Sequence, residues 1–164
     1  MRAASVSFAL VLVAICYAQE TEPRHINWTL SPIPVAKAKP GSRLQISVQA
    51  HIDAGWHLYA EEQEDHGPKA LRMWLPENQP FTLSGPIKSP RPFLMVDPTF
   101  GLRVRYYQGD VTFVLPVSVR AAPAAGGTLK VNAYYQLCDD KTCLPPRTHL
   151  LEAQITGGGT SATR

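Results

Sequence analysis

Two cysteines, Cys138 and Cys143, are the residues whose type and spacing best support chemistry. Four polar residues, Asp-Asp-Lys-Thr, separate them, and a double proline follows at 145–146. Cysteines this close across a tight turn can reach the short Cα separation, usually roughly 4.4–6.8 Å, at which disulfides form. We therefore expect them to be paired when oxidised, which suits either a structural cross-link or thiol–disulfide exchange.

A structural cross-link is expected where the fold needs the disulfide for stability, whereas an exchanging disulfide is not. A cross-link that closes so short a loop adds little stability, because the entropic benefit reaches about 3 kcal/mol only for loops of about 15 residues. A chain of 164 residues with many alternating strands also builds its own core. Both points favour exchange. The alternative that stays open is a binding or structural module with an inert disulfide, which docks a partner by strand addition.

The residues around the cysteines predict a poor attacking thiol. The prolines at 145–146 exclude a helix that starts directly after Cys143, so no helix dipole lowers the thiol pKa as in Cys-x-x-Cys motifs. The carboxylates of Asp139 and Asp140 raise the pKa of a neighbouring thiol, and Lys141 offsets only part of this effect. We expect the disulfide to be attacked by the thiolate of a partner.

The elements that must position the cysteines are strands. Apolar and polar residues alternate with period two over three segments, 44–52, 111–119 and 129–135. Shorter strand candidates bounded by Gly, Pro or Asp lie at 56–59, 71–75, 104–107 and 149–155. The 15 prolines and the lack of a 3.6-residue apolar stripe argue against helices. The pattern predicts an all-β, immunoglobulin-like antiparallel β-sandwich, in which Pro116 marks an edge strand or a bulge.

The N-terminus predicts export. Arg2 precedes an apolar stretch at 6–16 and a small-x-small sequence that ends at Ala18, so residues 1–18 are expected to be a signal peptide cleaved after Ala18. Lipid attachment at Cys16 is a minor alternative. The apolar stretch is shorter than the roughly 20 residues of a membrane span, and no later segment qualifies. We expect a periplasmic or secreted protein with no membrane span, left with an even pair of cysteines.

The rest of the chain reads as one domain. Residues 19–40 are rich in proline and predict an extended lead-in with one short strand at 26–30. The folded domain is expected at 41–156, and the Gly-rich tail at 157–164 is expected to be disordered. We expect a monomer.

Several function classes lack support in the sequence. A formal net charge of +3 without a basic run predicts no nucleic-acid surface. No Ser-His-Asp arrangement or carboxylate pair points to a hydrolase. A copper or zinc site built from His57, His66, Met73 and the cysteines is a third alternative, although the histidines have no ligand-like spacing. No metal or other cofactor is expected.

Aromatic residues are candidates both for the core and for the site. Trp56 and Trp74 are expected in the core of a sandwich. Tyr59 is expected beside the disulfide, where its hydroxyl group would hydrogen-bond a sulfur or a carboxylate. Asp97 precedes a proline, so it either starts an ordinary turn or belongs to the site.

The region around the cysteines resembles a known family. The sequence Tyr-Tyr-Gln-Leu-Cys-x4-Cys-Leu-Pro-Pro at 134–146 is similar to the active-site loop of the N-terminal periplasmic domain of the thiol:disulfide interchange protein DsbD. Gly-Trp-His-Leu-Tyr at 55–59 is similar to a strand of that family, and Asp-Pro-Thr-Phe-Gly at 97–101 lies where the family has a cap loop over the cysteines. Tyr-Gln-Gly-Asp at 107–110 and Leu-Pro-Val at 115–117 continue the correspondence, which covers most of residues 40 to 155.

The resemblance implies a function for the cysteine pair. In the family, an immunoglobulin-like domain takes electrons from a thioredoxin-like domain and passes them to periplasmic disulfide isomerases or cytochrome-maturation thioredoxins. By analogy Cys138 and Cys143 are the exchanging pair of a protein-disulfide reductase component. The partners implied are thioredoxin-like proteins that form transient mixed disulfides. The family's membrane and thioredoxin-like domains do not follow in this sequence, so electrons are expected from a separate protein.

The resemblance also places neighbours around the cysteines. The family's cap loop supplies an aromatic ring that shields the disulfide, but Thr99 stands where that ring is usual. Phe100 is therefore expected to be the shield. The cysteine loop is one residue shorter than in the best-known member of the family. The complete set of predicted neighbours is Tyr59, Asp97, Thr99, Phe100 and Tyr135.

Overall fold

A computed structural model describes residues 25–124 and 126–156, and its regular structure is almost entirely β. Within these residues, one 3-10 turn lies at Val35–Lys37. The predicted signal peptide with its cleavage site after Ala18, the alternative at Cys16 and the predicted tail at 157–164 lie outside the described residues. The strands are β1 (Ile26–Leu30), β2 (Ile33–Pro34), β3 (Arg43–Ile52), β4 (His57–Tyr59), β5 (Arg72–Trp74), β6 (Phe81–Leu83), β7 (Phe93–Val96), β8 (Arg103–Tyr107), β9 (Asp110–Val119), β10 (Thr128–Tyr135), β11 (Leu137–Cys138) and β12 (Arg147–Thr156).

The strands form three sheets of four strands each. The first has the order β1-β3-β9-β6, the second β2-β12-β10-β5 and the third β11-β4-β8-β7. All pairings are antiparallel except the short parallel pair of β2 and β12. Alternate side chains of the first two sheets enter one continuous buried cluster. The predicted all-β, immunoglobulin-like sandwich is confirmed.

Period-two alternation explains the long strands. On β3, Val48 is fully buried, whereas the neighbouring Gln49 is exposed. Val48 lies opposite Phe113 of β9, whose side chain is also fully buried. Burying two large apolar side chains contributes about 1.5–3 kcal/mol each relative to leaving them exposed. A shift of register by one residue would turn both side chains toward water, so the pattern fixes the pairing.

The packed structure begins ahead of residue 41. Strand β1 pairs with β3 along its whole length, from Ile26 opposite Ile52 to Leu30 opposite Val48. The side chain of Trp28 is also part of the main core. The three prolines in the described part of this segment stand between β1 and β2, at the end of β2 and after the 3-10 turn, so they interrupt the segment without removing its strands from the sheets.

Two expectations about individual residues were wrong. Pro116 lies on β9, which is interior to its sheet, with β3 on one side and β6 on the other. The proline is tolerated because β6 ends at Leu83, opposite Val117, so no strand residue needs a donor from Pro116. Trp74 lies on the edge strand β5 and is 40% exposed, so it is not a core residue. Trp56 is partly buried against the core.

The third sheet separates two environments. Leu58, Tyr107 and Leu137 point from one face into the main core. The adjacent Tyr59, with Val104 and Cys138, belongs to a second and smaller buried cluster. Because side chains alternate between the two faces of a strand, Cys138 lies on the face of this sheet that points away from the main core. We call this the outer face of the third sheet. Within the described ranges, no helical segment has the length and apolarity that a transmembrane helix requires.

Candidate functional site

The two cysteines form the predicted disulfide at the end of β11. Their Cα atoms lie 4.1 Å apart, and the tight turn between them is closed by a hydrogen bond from the Asp139 N–H to the Thr142 carbonyl. Cys138 is completely buried, whereas Cys143 is partly exposed. Cys143 is therefore the more exposed residue of the pair.

Asp139 builds the turn between the cysteines. Its Oδ1 accepts hydrogen bonds from the Lys141 N–H at 2.8 Å and from the Thr142 N–H at 2.5 Å. These bonds, made to the ionised carboxylate, hold the pKa of Asp139 below its ordinary value. The aspartate is thus used to shape the loop as an Asx turn.

Tyr59 links the disulfide to the cap loop at 97–101. Its hydroxyl group donates a hydrogen bond of 2.6 Å to Asp97 Oδ2, and its oxygen lies 3.9 Å from Cys143 Sγ. Burial first, and then the neighbouring carboxylate, raises the pKa of Tyr59 well above its ordinary value. The tyrosine therefore keeps its proton and directs it at Asp97.

Asp97 both shapes the cap loop and faces the site. Its Oδ1 accepts hydrogen bonds from the N–H groups of Thr99 at 2.8 Å and Phe100 at 3.1 Å. Its carbonyl accepts the N–H of Gly101, whose positive φ of 65° suits a residue without a Cβ. The carboxylate is only 1% exposed. Asp97 therefore starts the turn of the cap loop, and the same carboxylate accepts the hydrogen bond of Tyr59.

The remaining predicted neighbours lie in different places. Phe100 packs against the small cluster that contains Cys138, with its ring edge-on to Tyr59 at 6.2 Å. Thr99 is exposed, and its backbone N–H makes the contact described above. Tyr135 is buried in the main core, where its ring lies 5.4 Å from that of Trp28. Phe100 is thus the aromatic ring of the cap that packs on this cluster.

His57 is a site residue that the sequence suggested only as a metal ligand. It is 5% exposed, and its ring lies 5.1 Å from that of Tyr59 and 5.5 Å from that of Tyr106. Its Nε2 is 3.6 Å from Asp97 Oδ2, and no hydrogen bond satisfies it. Burial lowers the pKa of His57, although Asp97 acts in the opposite direction. The signal available in the sequence was its position two residues before Tyr59, on the same face of a strand.

A metal centre finds no support in the arrangement of these side chains. Among the described residues, no group of three or more His, Cys, Asp or Glu side chains is placed to hold a metal ion. His57 instead faces tyrosine rings and a carboxylate.

Strand β7 exposes apolar side chains beside the cap loop. Phe93, Leu94 and Val96 are 53%, 58% and 69% exposed. The strand pairs with β8 on one side and is the edge of the third sheet, and Asp97 follows it directly. Exposed apolar side chains on a free sheet edge are typical of a place where another protein binds.

The comparisons with known families give one match that spans most of the chain. The family described as "Thiol:disulfide interchange protein DsbD, N-terminal" matches residues 29–155. These residues include both cysteines, β4 and the cap loop. No curated protein matches the sequence.

Similar solved structures include the following three. The N-terminal domain of DsbD from Neisseria meningitidis in the reduced form is 22% identical, with 75% of this chain and 82% of that chain covered and a TM-score of 0.45. The complex between the DsbD and PilB N-terminal domains of the same species gives 20% identity, coverage of 80% and 84%, and a TM-score of 0.46. The N-terminal periplasmic domain of ScsB from Proteus mirabilis is 16% identical, with 79% of this chain and 45% of that chain covered and a TM-score of 0.50.

Proposed function

Because this chain belongs to the family of the DsbD N-terminal domain, we propose that it is an extracytoplasmic thiol–disulfide exchange module that passes electrons between thioredoxin-like partners. The exchanging pair is Cys138 and Cys143. The observation that carries the proposal is a disulfide between a buried and a partly exposed cysteine, with the sulfur of the latter 3.9 Å from a tyrosine hydroxyl that is hydrogen-bonded to a buried carboxylate.

Exchange proceeds through the accessible sulfur. A thiolate of the reduced partner attacks Cys143 Sγ, the S–S bond breaks, and its electron pair goes to Cys138 Sγ. The second thiol of the partner then displaces Cys143 from the mixed disulfide. The partner loses two electrons and two protons as its dithiol becomes a disulfide, and Cys138 and Cys143 gain them as two thiols. The reverse sequence delivers the electrons to an oxidised acceptor.

The Tyr59–Asp97 pair assists Cys143. Since the hydroxyl hydrogen of Tyr59 points to Asp97, the lone pairs of its oxygen are free to accept the thiol hydrogen of Cys143. When the reduced pair donates electrons, Cys143 must become a thiolate to attack. The thiol of Cys143 contacts the Tyr59 hydroxyl group, which in turn donates to the Asp97 carboxylate. These contacts orient the proton that Cys143 loses, and they hold Tyr59 in position.

The apolar edge of the third sheet supports a protein substrate. Strand β7 leads directly into the cap loop, and the exposed Phe93 lies on the same face of the sheet as Tyr59, so a partner that binds over the cap loop can extend onto Phe93. Movement of Phe100 would give the partner better access to the sulfur. The same free edge favours the second candidate, a binding module with an inert disulfide, in which a partner adds a strand to β7.

The reduction potential of the disulfide separates the two candidates. The protein is equilibrated with glutathione or dithiothreitol mixtures, and its thiols are counted by mass. The exchange module predicts a potential between roughly −180 and −270 mV, whereas structural disulfides typically lie below about −300 mV. A disulfide that resists reduction until the protein unfolds contradicts exchange.

Single-cysteine variants test which sulfur is attacked. In Cys138→Ser, the accessible Cys143 is expected to form a mixed disulfide with an oxidised thioredoxin-like probe. The matched variant Cys143→Ser keeps only the buried Cys138 and is expected to react far more slowly. Equal trapping by the two variants would contradict the assignment of Cys143.

A further inference from the structure

Cys138 has a histidine directly across the strand pair. In the antiparallel pair of β11 and β4, Cys138 lies opposite His57, and Leu137 lies opposite Leu58. Residues directly opposite share a face of the sheet, with Cβ atoms about 4.5–5.5 Å apart. The imidazole of His57 and the sulfur of Cys138 are therefore neighbours on the outer face, in the same buried layer.

The exchange reaction creates a charge at this position. Attack on Cys143 leaves a thiolate on Cys138, whose side chain has no exposed surface. A buried anion is costly unless it is protonated or paired with a positive charge. Tyr59 directs its hydroxyl hydrogen at Asp97, and Asp97 is itself an acidic group. Of the neighbours described, His57 is the one that becomes positively charged when it takes up a proton.

We propose that His57 is the proton donor to the Cys138 thiolate that forms when the disulfide is attacked, a role that rests on the proposed exchange function. As the S–S bond breaks, the electron pair goes to Cys138 Sγ. A proton carried by His57 then converts this thiolate to the thiol and leaves the imidazole neutral. On oxidation of the pair, the neutral imidazole takes that proton back from Cys138.

The surroundings of His57 suit this role. Tyr59 on its own strand and Tyr106 on β8 contact its ring, and Asp97 of the cap loop faces Nε2 at 3.6 Å. Asp139 and Asp140 of the cysteine loop act on it through their charges. Burial lowers the pKa of His57 while these three carboxylates raise it. A new thiolate beside the ring adds a further negative charge, so it favours proton uptake when the bond breaks.

The Nε2 atom of His57 also supports the role of this residue as a proton donor. Nε2 is buried and makes no hydrogen bond, which is a costly state for a polar atom. A proton on this atom, together with a shift of a few tenths of an ångström, would give a charge-assisted bond to Asp97. The site thus already contains the acceptor that stabilises the protonated histidine.

The test is the pH dependence of reduction of the oxidised protein by dithiothreitol between pH 5 and 8. Each rate is divided by the fraction of dithiothreitol present as thiolate, which leaves the reactivity of the disulfide itself. In the wild-type protein this rate is expected to rise about tenfold or more as pH falls through the pKa of His57, within the range of general acid catalysis. His57→Gln is expected to give a flat profile. His51→Gln, at an exposed histidine of the first sheet, is the matched control and should retain the rise.

The wild-type protein alone can overturn the inference. A flat wild-type profile does so, as does an inflection that differs from the His57 titration followed by NMR, and neither requires that His57→Gln folds. A folded His57→Gln protein that retains the rise also overturns it. Failure of the proposed function looks different, because the folded protein would then resist reduction at every pH.

Discussion

The hydroxyl group of Tyr59 and the carboxylate of Asp97 share a hydrogen bond of 2.6 Å, with the two side chains 0% and 1% exposed. This bond joins β4, which carries the tyrosine beside the disulfide, to the cap loop that begins at Asp97. Because both partners are buried, water cannot replace either of them at low cost. The position of the cap is therefore tied directly to the strand that holds the site.

Removal of that hydroxyl group is expected to destabilise the fold. Tyr59→Phe leaves Asp97 Oδ2 buried without its donor, which costs about 1–3 kcal/mol in the free energy of unfolding. Urea denaturation of the oxidised protein measures it. Tyr134→Phe, at a partly exposed tyrosine of β10, is the control and should change stability by no more than about 0.5 kcal/mol. Equal losses of unfolding free energy in the two variants would show that the Tyr59–Asp97 hydrogen bond stabilises the fold no more than the Tyr134 hydroxyl group does.

The cap loop should shield the disulfide through Phe100. Phe100→Ala removes the ring that packs against the cluster containing Cys138, so reduction by dithiothreitol at fixed pH is expected to become several-fold faster. Thr99→Ala keeps the backbone N–H that bonds Asp97, and its side chain is exposed. That variant is expected to react at the wild-type rate. The reverse order of the two rates would place the shield at Thr99.

The sequence predicted the alternating strands and several short ones that turn residues bound. Period-two patterns identified β3, β9 and β10 to within one residue at each end, and the segments bounded by Gly, Pro or Asp identified β4, β5, β8 and β12 to within two. The short strands β6 and β7 were missed. Four apolar residues run consecutively in β7 and three of them are exposed, so no alternation marks the strand. Its place at a sheet edge depends on pairing with β8, which local sequence does not encode.

Residue type and family resemblance predicted part of the candidate site. The cysteines stand out by their spacing, and Tyr59, Asp97 and Phe100 by their match to family motifs. A role for His57 in exchange was not predicted, because its position two residues before Tyr59 indicates a shared strand face but no chemical role. Its significance comes from the register of β11 with β4, a pairing between segments about 80 residues apart.

Charge and shape at Asp97 can be separated by two substitutions. Asp97→Ala removes the acceptor of two backbone N–H groups and of the Tyr59 hydroxyl, so it is expected to cost about 2–3 kcal/mol of unfolding free energy. Asp97→Asn keeps an Oδ1 acceptor and should cost about 1 kcal/mol. Hydrogen exchange of the Thr99 and Phe100 amides should accelerate in the alanine variant only. Acceleration in both would mean that the negative charge itself holds the turn.

The protonation of His57 should make stability fall with acid. Its pKa is lower in the folded protein than the ordinary value of 6.5, because burial disfavours the charged form. Above pH 6.5 the histidine is neutral in both states and contributes nothing to the pH dependence. As pH falls below 6.5, His57 takes up a proton in the unfolded chain before it does so in the folded protein. The free energy of unfolding therefore decreases. The decrease stops once pH is below the folded pKa.

His51 provides a contrast of opposite sign. Its hydrogen bond of 2.6 Å to Asp110 raises its pKa above 6.5, so its contribution is complete below pH 6.5 and is lost as pH rises through the folded pKa. Denaturation is therefore measured from pH 5 to 8 in wild type, His57→Gln and His51→Gln. Relative to wild type, His57→Gln should lose less stability on acidification, and His51→Gln should lose more. A wild-type slope retained by His57→Gln would mean that its imidazole takes up protons equally in the folded and unfolded states.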